Sequence, residues 1–272
     1  MISLEVVRRL AQHWQIAPEV VEKDYCLGWL LHGLAHSPLH EVLVLKGGTA
    51  LRKGYFPEYR FSEDLDYTLT GPVEEAFLRE GLARAALLGT RASGVPFELV
   101  VLEQVRMEAE TPAWQARLSF VGPRAQARDP RRIRLDLTAF EELLWPPASR
   151  PLLHPYPDAC AAPLAIYPLE EIFAEKLRTV LQRGYPRDVY DVWYLLQHLP
   201  SPVDAATLRA RFGRKCAYKD VRYAGVEQIE GIWAAKQTAL HWHQSLALQI
   251  PNLPAWDRVR QELVQGLSAL WG

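Results

Sequence analysis

Apolar positions in the first forty residues recur at helical spacing. Pro18 suits a first helical turn, and Val20, Val21, Leu27, Leu31 and Leu34 then fall on one face. Asp24 projects onto that same face, where a carboxylate needs a partner, so a structural hydrogen bond or ion pair is expected for it rather than catalysis. From Glu41 to Leu45 a short apolar run ends in Lys46-Gly47-Gly48, a strand meeting a turn, and Thr49 to Tyr55 suits a short helix. Leu65–Leu69, Phe97–Met107, Trp114–Val121 and Ile133–Thr138 read as further strands, the last alternating inward and outward residues. Trp145-Pro146-Pro147 opens a stretch with six prolines between positions 146 and 163, which predicts irregular chain or a linker. Helical periodicity dominates from Pro168 onward, with no internal repeat. This order predicts an α+β protein: a sheet lobe with N-terminal helices over residues 1–145 and a mainly helical lobe over residues 146–272.

Composition narrows the class. The 272 residues are 49% hydrophobic and 23% charged, which fits a packed soluble globule. No segment approaches the roughly 18 uninterrupted apolar residues of a membrane helix, and the start, Met1-Ile2-Ser3-Leu4-Glu5, lacks the features of a signal peptide. Cys26, Cys160 and Cys216 lie far apart and form no C-x-x-C pair, which argues against a disulfide framework and a zinc knuckle. A cytoplasmic protein with no membrane partner is expected. The net charge of −1 neither requires nor excludes a nucleic-acid partner. Arg124, Arg128, Arg131, Arg132 and Arg134 stand against a single acid, Asp129, in a cluster that can attract phosphate but more often marks a solvated loop.

The candidate chemistry begins at Lys46-Gly47-Gly48-Thr49. Two glycines after a strand let the backbone approach a ligand, the following helix offers N–H groups to phosphate, and Thr49 adds a hydroxyl or a cap. In Arg60-Phe61-Ser62-Glu63-Asp64-Leu65-Asp66, the two aspartates point to one strand face and repel unless a cation lies between them. Hard oxygen ligands of this kind select Mg²⁺, which also binds triphosphate oxygens. Asp136, between Leu135 and Leu137 and on the face opposite to them, could complete a two-metal site. Arg134 shares its side, so a surface ion row is the competing explanation. Downstream, Lys176 falls in the middle of an apolar helical face built by Ile172, Phe173, Leu177 and Val180 and needs an anion, either a triphosphate or a buried acid. Asp188 and Asp191 neighbour each other on a further helix, where Asp188 is near enough to the start to act as a cap. His241 and His243 diverge on their helix and suit no shared metal, and Trp233, Trp242 and Trp256 read as packing aromatics.

Together, Lys46-Gly47-Gly48-Thr49-Ala50-Leu51, Phe61-Ser62-Glu63-Asp64-Leu65-Asp66, Glu175-Lys176-Leu177 and Arg187-Asp188-Val189-Tyr190-Asp191 resemble the AbiEii/AbiGii-type toxins of the DNA polymerase β-like nucleotidyltransferase superfamily. Glu22-Lys23-Asp24-Tyr25 and a closing segment with Lys236, Leu246 and Pro251-Asn252-Leu253-Pro254 are similar too. The resemblance implies a nucleotidyltransferase-fold sheet lobe and Mg²⁺-dependent transfer from a nucleoside triphosphate. It also implies a cognate antitoxin, a role in phage defence, and an acceptor that in some relatives is the 3′ end of tRNA, which stops translation. By motif, Gly47 and Gly48 with Lys46, Thr49 and Ser62 would hold phosphate, and Asp64 and Asp66, with Asp136 least securely, would bind metal. Lys176 would contact triphosphate, and Asp191 with Arg187 and Asp188 would complete the pocket. The alternatives are transfer to a small molecule or a protein, and a nucleotide-binding interaction protein without chemistry.

Overall fold

The computed structural model describes residues 1–106, 112–125, 130–139, 141–199 and 204–271. Expectations that fall on Met107, Arg128 and Asp129 therefore lie outside the described residues. The chain divides into two units, Met1–Glu141 with Pro147–Tyr167 and Glu142–Pro146 with Pro168–Gly272. No described helix is long and apolar enough to cross a membrane.

In the first unit, α1 (Leu4–Trp14) is capped by the Ser3 hydroxyl, which accepts from the Val6 amide, and α2 (Pro18–Ala35) starts on Pro18 in its first turn. A single apolar face underdescribes α2, because its residues are buried almost all round from Val21 to Leu31. The reason lies in its neighbours. Helix α4 (Glu75–Ser93), in a stretch that the apolar pattern left unassigned, crosses it so closely that a Cβ on Gly33 would lie 2.1 Å from the Ala85 carbonyl oxygen.

Among the described residues, seven strands form one mixed sheet in the order β3-β4-β5-β2-β1-β7-β6. They are β1 (Leu43–Lys46), β2 (Leu65–Leu69), β3 (Phe97–Arg106), β4 (Pro112–Phe120), β5 (Arg131–Thr138), β6 (Ala148–Pro151) and β7 (Pro163–Ile166). The short helix α3 (Gly47–Ala50) and a wider π-type turn over Leu51–Tyr55 follow β1. β1 pairs antiparallel with β2 and parallel with β7, and β2 pairs parallel with β5. Alternation in β5 buries Ile133, Leu135 and Leu137 and turns Arg132, Arg134 and Asp136 to the other face, as the sequence pattern predicted.

The division into units differs from the expected boundary at 145/146, and the stretch read as irregular chain or a linker is irregular over residues 152–162 but carries a short strand on either side. Residues 147–167 return to the first unit, and β6 and β7 extend its sheet. The prolines are compatible because Pro151 and Pro163 face each other at the end of the β6–β7 ladder, and β6 is an edge strand, where a missing N–H is tolerated. The second unit is helical: α5 (Leu169–Arg183), α6 (Pro186–His198), α7 (Ala205–Tyr218), α8 (Val226–Ala235), α9 (Thr238–Leu246) and α10 (Trp256–Trp271). Trp233 and Trp242 are buried and pack edge-on or tilted against Trp256, as the sequence indicated, while His241 and His243 are exposed.

Candidate active site

Strand register gathers the acids. Asp66 on β2 stands opposite Asp136 on β5, and Asp64 lies two residues before Asp66 on the same side. Lys46, at the end of β1, is the cross-strand partner of Asp66. These side chains share one face of the sheet, because Leu45, Tyr67, Leu135 and Leu137 between them are buried on the other.

The turn after β1 meets this face at close range. Gly47 has φ +75°, and a Cβ there would lie 2.7 Å from Asp66 Oδ2, so both conformation and space require glycine. At Gly48 an added Cβ would lie 2.9 Å from Arg60 Nη2 and 3.1 Å from Ser62 Oγ. Backbone, guanidinium and hydroxyl thus converge under the turn. Arg60 is a buried cation within the motif that sequence reasoning did not single out, because a lone arginine beside an aromatic carries no periodic signal. Thr49, buried, donates from Oγ1 to the Asp64 carbonyl oxygen at 2.6 Å and so fixes the entry to β2 instead of projecting toward a ligand. Lys46 is buried and ion-paired with Glu141, which also accepts from Thr68 Oγ1 at 3.4 Å.

Gly47→Ala is expected to cost about 1–2 kcal/mol in stability for the left-handed backbone alone and to displace the Asp66 carboxylate. Thermal unfolding and transfer assays on that variant check both effects; wild-type activity would disprove the tight approach.

Asp64 and Asp136 are joined by a cation. Arg134 Nη2 lies 3.2 Å from Asp64 Oδ2 and Arg134 Nε 3.2 Å from Asp136 Oδ2. Gln115 Nε2 donates to the other oxygen of Asp136 at 3.0 Å, and Arg117 Nη2 donates to Gln115 Oε1 at 3.0 Å. The ion row weighed as a competitor for Asp136 is therefore present. Among the described residues no group of three or more His, Cys, Asp or Glu side chains is arranged to hold a metal ion. The donor chemistry nevertheless suits one: three carboxylates on one face, with the Gly47 backbone packed directly against the Asp66 carboxylate.

The arginine cluster is largely committed. Arg131 Nη1 donates to the Glu19 carbonyl oxygen at 2.6 Å and lies 3.5 Å from Glu22 Oε2, Arg124 Nη1 lies 3.7 Å from Glu19 Oε2, and Arg134 serves the aspartates. Arg132 is exposed. Of the cluster read as suiting phosphate or a solvated loop, Arg124, Arg131 and Arg134 thus form ion pairs within their own unit.

In the helical unit, Lys176 on α5 is flanked by two buried acids of α6, with Nζ 2.8 Å from Asp191 Oδ2 and 3.5 Å from Asp188 Oδ1. The i, i+3 spacing does bring both aspartates to one partner. Asp188 does not cap its helix; its carboxylate accepts from Arg183 Nε at 2.8 Å and Nη2 at 3.2 Å. Arg187 is exposed. Lys215 forms a second buried pair with Glu171 at 2.5 Å. Burial pushes the Glu171 carboxyl above its ordinary value, against the Lys215 charge and the hydrogen bonds from Lys215, Trp145 and Leu144.

Comparison with known proteins places these features. The family model described as nucleotidyl transferase AbiEii toxin, type IV TA system, matches residues 29–262. No curated protein matches the chain by sequence. Among solved structures, MenT4, a nucleotidyltransferase toxin from Mycobacterium tuberculosis, is similar with a TM-score of 0.69 at 20% identity, over 100% of this chain and 90% of that one. JHP933 from Helicobacter pylori is similar with a TM-score of 0.58 at 17% identity, over 94% of this chain and 93% of that one. At these identities the likeness concerns the fold.

Proposed function

The chain belongs to the AbiEii nucleotidyl transferase toxins of type IV toxin–antitoxin systems, and from that membership we propose its reaction: Mg²⁺-dependent transfer of a nucleotidyl group from a nucleoside triphosphate to the 3′ end of tRNA. The observation that supports this most strongly is the face carrying Asp64, Asp66 and Asp136 beside the positive-φ turn at Gly47. On this reading Asp64 and Asp66, with Asp136, hold the metal, which when bound supplies charge neutralisation and orientation of the triphosphate.

The chain's own residues do the remainder. The Gly47-Gly48 turn brings backbone close to the phosphates, with Arg60 and Ser62 beneath it supplying positive charge and a hydroxyl. Lys46, paired with Glu141, contributes to the charge balance of that edge. An acceptor hydroxyl attacks the α-phosphorus in line and pyrophosphate leaves, so positioning and electrostatics carry the rate. A cognate antitoxin accompanies the family assignment, and an antitoxin that restrains this reaction is part of the proposal, as is a role in phage defence.

We extend the proposal to the helical unit: Lys176 contacts triphosphate, with Asp191 holding its ammonium and Asp188 and Arg187 beside it. Lys176→Ala is expected to weaken nucleotide binding by about 1–3 kcal/mol, the range for a hydrogen bond to a charged group. Calorimetric titration with nucleotide measures this; unchanged affinity together with lowered thermal stability would reduce Lys176 to a counter-ion for buried acids.

The acceptor is tested by incubating purified protein with each α-labelled triphosphate, Mg²⁺ and total tRNA. Label on RNA with at least one nucleotide is expected. Pyrophosphate release without RNA labelling would move the acceptor to a small molecule or a protein, and the absence of both would leave a nucleotide-binding interaction protein.

A further inference from the structure

We propose that Arg134 is a built-in counter-ion of the carboxylate face, which a divalent cation must displace, so that metal enters with the triphosphate rather than ahead of it. This rests on the metal reading given above. Strand alternation puts Arg134 on the same side as Asp136, two residues away, and the β2–β5 register brings Asp64 within reach. The guanidinium bridges the two acids, with Nη2 3.2 Å from Asp64 Oδ2 and Nε 3.2 Å from Asp136 Oδ2. Gln115, braced by Arg117, takes the remaining oxygen of Asp136 and keeps the carboxylate turned toward Arg134. The two carboxylates thus share a cationic partner supplied by the chain itself.

The pair is also exchangeable. Arg134 is 48% exposed, Asp64 37% and Asp136 28%, so water and salt screen the attraction and leave it weak. A doubly charged ion outcompetes it more readily once further oxygen ligands arrive. A triphosphate supplies those ligands, and its anionic oxygens offer the released guanidinium a matching planar partner. Arg134 is therefore a positioning residue in the free protein, and its exchange couples metal binding to nucleotide binding.

The test titrates Mn²⁺ into the full chain, read by the paramagnetic resonance signal of the free ion, with and without a non-hydrolysable triphosphate analogue. Wild type is expected to bind Mn²⁺ weakly alone and more tightly with the analogue. Arg134→Gln should bind Mn²⁺ alone roughly ten-fold tighter, the equivalent of losing a weak ion pair at each acid, and should gain correspondingly less from the analogue. Arg134→Lys keeps the charge and should stay near wild type; a ten-fold gain there too would assign the effect to local rearrangement and overturn the proposal. Equal affinities of wild type and Arg134→Gln, with weaker binding by Asp66→Asn, would also overturn it while the metal reading stands. If Asp66→Asn binds Mn²⁺ as wild type does, the metal reading itself fails.

Discussion

Replacing Asp66 with alanine is expected to lower nucleotidyl transfer by at least about a thousand-fold, because a metal-assisted step loses several kcal/mol of transition-state stabilisation with its ligand. Asp66 stands at the centre of the face: Asp136 is its register partner on one side, Lys46 on the other, and its carboxylate occupies the space that a side chain at Gly47 would need. Asp64→Ala should act in the same direction. The folded state should survive both changes, since Asp64 and Asp66 are half-buried on the polar face of the sheet and not among Leu65, Tyr67 and Leu135 behind it. Steady-state transfer beside a thermal unfolding curve separates the two effects. A stable Asp66→Ala protein with wild-type activity would remove Asp66 from the chemistry.

Asp24→Ala should have the largest effect on stability, about 3–5 kcal/mol, the cost of breaking a buried ion pair by removing one partner. The Asp24 carboxylate is buried and accepts from Arg52 Nε at 2.6 Å, Lys53 Nζ at 2.6 Å and Tyr156 Oη at 2.7 Å. Without it, Arg52 and Lys53 remain buried with no carboxylate between them, and Tyr156 keeps only the Val21 carbonyl oxygen as its hydrogen-bond acceptor on α2. Burial raises the Asp24 carboxyl, but the Arg52 and Lys53 charges and the hydrogen bonds from Lys53 and Tyr156 outweigh it, so the group is held well below the usual carboxylate range. The folded state therefore prefers the ionised form. That contribution is complete above the ordinary carboxylate value of about 4 and is lost progressively as pH falls toward the lower folded value. Urea unfolding of wild type and variant should differ most near neutrality and less below about pH 4. A constant difference across pH would show that shape rather than charge accounts for the loss.

Sequence alone determined much of the local structure, because the relevant signals are local. Alternation in Ile133–Thr138 and the i, i+2 spacing of Asp64 and Asp66 set which side chains face together, so the two aspartates could be paired and Asp136 placed opposite its leucines before any fold was known. The inward position of Asp24 and of Lys176 on apolar helical faces required an opposite charge for each, and both have one. What the sequence left open depends on partners distant along the chain. Asp66 meets Asp136 only through parallel β2–β5 pairing, and Lys46 meets Glu141 across the same sheet face. The arginines of 124–134 looked like a phosphate patch because composition counts charge without its neighbours; folding brings Glu19 and Glu22 to Arg124 and Arg131, and Asp64 to Arg134. The proline-rich stretch looked like a linker because prolines break internal ladders, whereas only tertiary structure could assign Ala148–Pro151 to a sheet edge where a missing N–H costs nothing. Periodicity and charge burial set the chemistry each position can offer; long-range strand pairing decided which of those groups meet.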